Sequence, residues 1–357
     1  MLPPLPPKTS LDTIESKKVL RKLATARAAL AELKGVAGTI PNEQILIDTL
    51  SLQEAKDSSA IENIVTTQDE LYQSDFDQQT FENPASKEVH HYAAALKTGF
   101  NEVAKDGIIR IGLLNRVQAA IELNNAGIRR VPGTVLKNDL TGEVIYTPPQ
   151  DYNEIQSLLD NLEAFINDAI EYEADPLVKM AIIHYQFESI HPYYDGNGRT
   201  GRILNLLYLI KENLLSLPVL YISRYIIRHR DKYYQLLQQV RTHNDWEAWV
   251  MYMLDAVEQT ANQTIHTIKG IHGLMITYKR RIRGEQPKLY SQDLINNLFR
   301  HPYTRVAWLQ KDLSVTRLTA TKYLNTLVEM GLLEKIKKGK KNYYLNPALL
   351  SLLSGDS

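Results

Sequence analysis

The sequence predicts a mainly α-helical chain with one β-hairpin and a distinct, basic C-terminal unit. Apolar residues recur at three- and four-residue spacing through most of the chain up to about residue 283, the mark of amphipathic helices. Alternating, β-branched patterning is confined there to one stretch, residues 133–149. Charge is unevenly divided. Residues 285–357 carry 11 basic and 6 acidic side chains, a net charge of +5, and because the whole chain sums to zero the rest carries −5.

A length of 357 residues exceeds one typical domain and allows a sizeable core. With 41 basic and 41 acidic side chains, any attraction to nucleic acid or an anionic membrane must be local. The absence of cysteine excludes a disulfide framework, thiolate catalysis and thiolate zinc sites. The opening residues lack the basic and apolar regions of a signal peptide, and no apolar run approaches the ~20 residues that span a bilayer, so a soluble, cytoplasmic protein without a membrane partner is expected.

In chain order, the Pro-rich residues 1–8 are expected as an extended or mobile arm. Helical spacing from Leu11 to Leu33 opens an N-terminal helical region, residues 1–85, followed by a core over 86–275. Within that core two β-branched runs, starting at Gly133 and ending at Tyr146, flank Asn138-Asp-Leu-Thr-Gly142, and Pro148-Pro149 stops the second. Helical spacing resumes from Ile155 to Ile170. The charged stretch Lys279-Arg-Arg-Ile-Arg-Gly-Glu-Gln-Pro287 predicts a linker over 276–287 and a second unit over 288–357.

The chemistry-bearing stretch is His191-Pro-Tyr-Tyr-Asp195-Gly-Asn-Gly-Arg199-Thr-Gly-Arg202, between the helix-like run Asp175–Ile190 and one ending at Ile210. Gly196, Asn197 and Gly198 stand where a helix begins. Backbone N–H groups there have no intrahelical partner, and glycine admits a ligand closely, so this is an anion cradle suited to phosphate. Arg199 and Arg202, three residues apart, share one face and can clamp further phosphate oxygens, which points to a di- or triphosphate. Asp195 is a hard oxygen donor for magnesium, and His191 can take a proton from a hydroxyl near neutral pH.

This loop closely resembles the signature of the Fic (filamentation induced by cAMP) family, His-x-Phe-x-Asp/Glu-Gly-Asn-Gly-Arg-x-x-Arg, with Tyr193 in place of Phe. An aromatic swap is tolerable there if the added hydroxyl finds a partner. His184-Tyr-Gln-Phe-Glu-Ser-Ile190 and Trp246-Glu-Ala-Trp249 extend the likeness. The resemblance implies a Fic-type helical core with a hairpin flap. It implies a protein adenylyltransferase that moves AMP from ATP, with Mg2+, onto a Tyr, Thr or Ser hydroxyl of a target protein and releases pyrophosphate. His191 would be the general base and Asp195 the magnesium ligand, with Gly196, Asn197 and Gly198 on the transferring phosphate and Arg199 and Arg202 on the β and γ groups. Thr200 and Gly201 complete the ATP-binding loop, and Tyr233 and Tyr234 fall where the family places aromatics near adenine. The flap residues Val144, Ile145, Tyr146 and Thr147 would align the target by strand addition.

Far upstream, Ser58-Ser-Ala-Ile-Glu62-Asn63 is similar to the family's inhibitory pattern, Ser/Thr-x-x-x-Glu-Gly/Asn. The resemblance implies that Glu62 pairs with Arg202, the guanidinium that should grip the γ-phosphate, and so holds ATP out of line for attack. A homodimer that keeps this helix docked is expected as a partner state.

In the C-terminal unit, helix-like Tyr303–Leu313 and Leu318–Met330 flank Ser314-Val-Thr-Arg317, Gly331 closes the second, and a hairpin follows with its tip at Lys337-Lys-Gly-Lys-Lys341. The arrangement resembles a winged helix, in which Thr319, Thr321 and Lys322 would face DNA. The competing expectations are therefore a DNA-binding regulator whose Fic domain senses nucleotide, a Fic enzyme with another phosphate donor, and one that removes AMP.

Overall fold

The computed structural model describes residues 2–67, 70–72, 83–137, 141–338 and 341–354. It is helical apart from two small sheets. The predicted Leu11–Leu33 helix is broken once: α1 (Leu11–Ile14) stops and α2 (Lys17–Ala37) restarts where the Ser16 hydroxyl accepts from Val19 N at 3.3 Å. Next come α3 (Glu43–Ile61), capped by Asn42, α4 (Pro84–Asp106) and α5 (Ile111–Glu122). The hairpin is present but short: β1 (Leu136–Lys137) pairs antiparallel with β2 (Val144–Tyr146), Leu136 opposite Tyr146. Of its predicted turn, residues 138–140 lie outside the described residues.

The core continues through α6 (Tyr152–Ile166), α7 (Pro176–Ile190), α8 (Asn197–Lys211), α9 (Ile222–Arg228) and α10 (Arg230–His243). Helix α6 ends at Ile166, four residues earlier than the apolar spacing suggested, followed by Asn167, whose side chain bonds the backbone of Ile109. The pivot is α7. It is apolar almost all round, as a helix enclosed on every side must be, and even its polar Lys179, His184, Gln186, Glu188 and Ser189 are buried. It packs on α6, α8 and the long α11 (Trp246–Glu285), so the loop at its C-terminal end sits on a rigid support.

The linker expected over 276–287 is instead helix. α11 runs 40 residues to Glu285, because Tyr278 and Ile282 are buried against the C-terminal unit. The Tyr278 hydroxyl lies 2.8 Å from both Leu332 O and Asn346 Oδ1, and Arg281 donates to Met330 O at 2.6 Å. Local charge suggested a break; tertiary burial overrides it.

The C-terminal unit comprises α12 (Gln292–Arg300), β3 (Tyr303–Thr304), α13 (Val306–Leu313), α14 (Arg317–Glu329), β4 (Glu334–Lys338), β5 (Lys341–Leu345) and α15 (Pro347–Ser354). Tyr303–Thr304, read as the start of a helix, is an edge strand: it pairs with β5 in a sheet of order β3-β5-β4. Residues 339–340 of the lysine tip lie outside the described residues. α12 rests on α3, with Arg300 donating to Asp48 at 2.9 Å.

The N-terminal arm is docked rather than mobile. Leu5 is buried, its N–H donates to Asn161 Oδ1 at 2.7 Å and its carbonyl accepts from Asn161 Nδ2 at 3.0 Å, while Gln186 Nε2 donates to Pro3 O at 2.9 Å. No described helix is long and apolar enough to cross a membrane.

Candidate active site

His191 terminates α7 in the left-handed region (φ 49°), an uncommon conformation for a residue with a side chain. It is held there from two sides. Its own N–H donates to Phe187 O at 3.0 Å, and the Arg129 guanidinium donates to His191 O at 2.8 Å. Arg129, fully buried, also donates to Ile190 O and to Pro149 O at the hairpin's exit. One side chain thus joins the hairpin to the turn at His191. Burial, then the positive charges of Arg129 and Arg241, push the His191 imidazole down to about 4, with the Glu62 carboxylate and Glu188 carbonyl opposing. It is neutral at pH 7, as a base must be.

After the turn, the Asn197 side chain clasps the loop: Oδ1 accepts from Tyr193 N and Nδ2 donates to Tyr193 O, both at 2.8 Å. This side chain therefore shapes the loop from within. The Tyr193 ring is buried, and its extra hydroxyl finds a partner, donating to Asn115 Oδ1 at 2.9 Å. Gly196 is left-handed (φ 78°) and caps α8, so its backbone is available to no other residue without strain. Asp195 exposes its carboxylate, with Oδ1 accepting from Gly196 N at 2.7 Å.

A carboxylate of the chain itself lies against the first turn of α8, where the sequence predicts an anion cradle. A methyl group placed on Gly198 would lie 2.6 Å from Glu62 Oε1 and 2.8 Å from Arg202 Nη1. Glu62, one residue past the end of α3, accepts from Arg202 Nη2 at 2.8 Å through Oε1 and from Arg199 Nε at 2.8 Å through Oε2. Ser58, one turn earlier, takes Arg202 Nε on its hydroxyl at 2.7 Å and Nη2 on its carbonyl at 3.0 Å. Asn63 (φ 64°) turns the chain out of α3 and accepts from Arg230 at 3.0 Å. The Arg202 guanidinium is buried, and Glu62 holds it firmly protonated against that burial.

Arg199 is more heavily paired than its spacing suggested: besides Glu62 it meets Glu88 at 3.1 Å and Glu122 at 2.7 Å. Burial holds the Glu122 carboxyl above its ordinary range, with Arg199 opposing. Glu88, Glu122, Arg129 and Gln118, which donates to Asp195 O at 3.1 Å, were invisible to sequence reading. None lies in a recognisable spacing with the loop; only folding brings them there.

Two of the loop positions do not front the cradle. Thr200 is fully buried, and Gly201 packs on α7, where a methyl group would meet Glu188 Oε1 at 2.6 Å and Phe187 Cδ1 at 3.0 Å. Tyr233, expected near adenine, is likewise a core residue: its hydroxyl bonds His184 Nε2 at 2.9 Å and its ring packs 5.7 Å from that of Trp249. Helical spacing put Tyr233 on the apolar face. Tyr234, on the next face, is 46% exposed and lies 5.8 Å under the Arg230 guanidinium. On the hairpin, Val144, Ile145 and Thr147 are exposed, whereas the half-buried Tyr146 donates to Ser189 O at 2.9 Å.

Residues 20–101 match the Fic/DOC family N-terminal domain and residues 114–209 the Fic/DOC family itself. The chain belongs to the Fic/DOC family. Residues 274–349 match the C-terminal domain of SoFic-like protein adenylyltransferases, a span that begins inside α11 as the burial of Tyr278 and Ile282 requires. Among curated relatives, Protein adenylyltransferase Fic of Aedes aegypti is 31% identical over 112 residues, 31% of this chain and 21% of that protein. Protein adenylyltransferase fic-1 of Caenorhabditis briggsae is 29% identical over 150 residues, 42% of this chain and 26% of that protein. The chain thus spans about a fifth to a quarter of these relatives' length. In fold it is similar to a Fic family protein from Desulfovibrio desulfuricans G20, with a TM-score of 0.59 at 20% identity over 97% of this chain and 98% of that one. It is also similar to Fic-1 (residues 134–508) of C. elegans, with a TM-score of 0.53 at 20% identity over 70% of this chain and 73% of that one.

Proposed function

We propose that this protein is an autoinhibited adenylyltransferase that moves AMP from ATP to a Tyr, Thr or Ser hydroxyl of a target protein, releasing pyrophosphate. The observation that carries the reading is the Glu62 carboxylate, which lies against the first turn of α8 and pairs with both Arg199 and Arg202, the groups that this reading assigns to phosphate. A carboxylate at a helix N-terminus stands in for the anion the site is built to hold. Neutral His191 accepts the hydroxyl proton, the backbone amides after Gly196 receive the transferring phosphate, and Arg199 and Arg202 hold the β and γ groups once Glu62 yields. Asp195, an exposed hard donor beside the first turn of α8, would hold a magnesium ion, which would supply charge neutralisation to the phosphates. Val144, Ile145 and Thr147 offer an exposed strand edge for the target, and Tyr234 an exposed ring for adenine. α3 docks on α4, α8, α9 and α12 of its own chain, so inhibition operates within one copy.

The test is label transfer from ATP to lysate proteins by the parent, Glu62→Gly and His191→Ala. Strong labelling by Glu62→Gly alone, with α-labelled but not γ-labelled ATP, supports the reading. No label in any of the three leaves the nucleotide-sensor reading standing, γ-label transfer indicates another donor chemistry, and release of AMP from a modified protein the reverse reaction.

The C-terminal unit supports a second partner, duplex DNA. Arg317 and Lys322 of α14 and Lys335 and Lys337 of β4 are exposed on this net-basic unit, in a helix-then-hairpin order suited to a winged helix. Four phosphate contacts would give a slope of log affinity against log salt of about −3.6. A slope near zero removes DNA as a partner.

A further inference from the structure

A cavity of about 500 Å³ opens beside the hairpin's exit, apart from the phosphate cradle. Four distant parts of the chain wall it: Leu2 and Pro3 of the arm, residues 146–151 from the end of β2 onward, Tyr185 of α7 and Arg241 of α10. These walls are fixed. The arm is bonded through Asn161 and Gln186, Pro148 and Pro149 are buried, and Gln150 Nε2 donates to Thr134 O at 3.0 Å.

Arg241 supplies the cavity's positive charge. Its guanidinium carbon lies 3.9 Å from the centre of the Tyr146 ring and 6.0 Å from that of Tyr185, a stack that holds the fork flat. Its bonds to Ser189 Oγ and Gln238 Oε1 are long, 3.4 Å and 3.5 Å, the Tyr185 hydroxyl also faces it, and its Nε is buried without a hydrogen-bond partner among the described residues. Arg199 and Arg202 are both matched by carboxylates; among the described residues no carboxylate forms an ion pair with Arg241, although the buried Glu188 interacts with it at longer range. A planar guanidinium that is oriented but unmatched is made for a carboxylate. Asp151 and Glu154 also line the cavity, and the Asp151 carboxylate is engaged in capping α6, accepting from Glu154 N at 3.0 Å. Ser189, two residues before His191, accepts from both Tyr146 and Arg241, so the cavity and the base share one turn of α7.

We propose that this cavity receives an acidic side chain of the target protein, close in sequence to the hydroxyl that accepts AMP, with Arg241 as the residue that selects it. The proposal rests on the reading that the β2 edge aligns a target segment. Thr147, Pro148 and Pro149 follow Val144–Tyr146 directly in the chain and line the cavity, so a strand laid along β2 would end beside it.

The experiment uses the full chain and fluorescent peptides with one central Tyr, carrying Glu, Gln or Lys at each flanking position in turn, with binding read by anisotropy without ATP. At one flanking position Glu should bind about ten-fold tighter than Gln. Arg241→Gln should erase that preference, and Arg241→Glu should transfer it to Lys at the same position. The absence of any position that prefers Glu, or a Glu preference that survives in Arg241→Glu, overturns the proposal. AMP transfer to the same peptides by Glu62→Gly is scored separately: binding preference without label overturns the enzymatic reading alone.

Discussion

Removal of the Glu62 carboxylate should move rate and stability in opposite directions. In the folded chain Glu62 makes two charge-assisted bonds, each 2.8 Å, to arginines that are almost wholly buried. Arg199 keeps Glu88 and Glu122 when Glu62 is lost, so its charge remains matched. Among the described residues Arg202 keeps hydrogen bonds only to the oxygens of Ser58, with Glu188 acting at longer range, and the cost of a poorly matched buried guanidinium falls there. A bond of this kind is worth ~1.5–3 kcal/mol, and breaking a buried pair on one side costs about 3 kcal/mol. Glu62→Gly should therefore lower Tm by roughly 5 °C in the absence of nucleotide. The same ~3 kcal/mol is what the parent must forgo before Arg202 can grip a γ-phosphate, which corresponds to a rate gain of about a hundredfold. The assay is the initial rate of α-label transfer at matched folded fraction, with Tm measured with and without ATP. ATP should raise the variant's Tm more than the parent's, since the phosphate fills the vacated partner position. Equal rates together with equal ATP stabilisation in parent and Glu62→Gly would refute the reasoning.

Three further outcomes follow from the same geometry. Arg129→Gln removes a positive charge that depresses His191, so the acid limb of the pH–rate profile should rise from about 4 and activity at pH 5 should fall further than at pH 7, with Arg129→Lys restoring the limb; an unmoved limb denies that Arg129 acts on the base. Glu54, fully buried on α3 and bonded by Ser223, is pushed up to about 8 by burial, against 4.5 when unfolded. Between pH 7 and 8 the native state alone holds that proton, so stability should fall by up to about 1.4 kcal/mol over the unit, a slope that Glu54→Gln should flatten in denaturant titrations. Glu188, pushed up to about 7, adds to the decline mainly below that window. Tyr233→Phe should lose about 1 kcal/mol of stability with no change in KM for ATP, and Tyr234→Ala should raise that KM several-fold; a KM effect at Tyr233 instead would put the ring back beside the nucleotide.

Of the site, what the sequence by itself determined is the part that is contiguous. The left-handed Gly196, the helix start at Asn197 and the placing of Arg199 and Arg202 on one face depend on local backbone preference and helical periodicity, and these are written in neighbouring residues. The helical body and the hairpin between Gly133 and Pro149 follow for the same reason. The pairing of Ser58 and Glu62 with Arg202 was legible only through resemblance to a family pattern, since 140 residues separate the carboxylate from its guanidinium. The rest was decided by burial, which no local spacing encodes. Tyr233 and Tyr234 are adjacent in the chain, yet one closes the core over Trp249 and the other faces outward. The charged stretch after Ile276 stays helical because two of its residues are buried against a second unit, and a Pro-rich arm becomes a wall because Asn161 and Gln186 hold it. Arg129 and Arg241 show the reason most directly. In the sequence each is an ordinary arginine; folding buries one on the carbonyls that hold His191 and half-buries the other beside an open cavity, where among the described residues it forms no ion pair with a carboxylate.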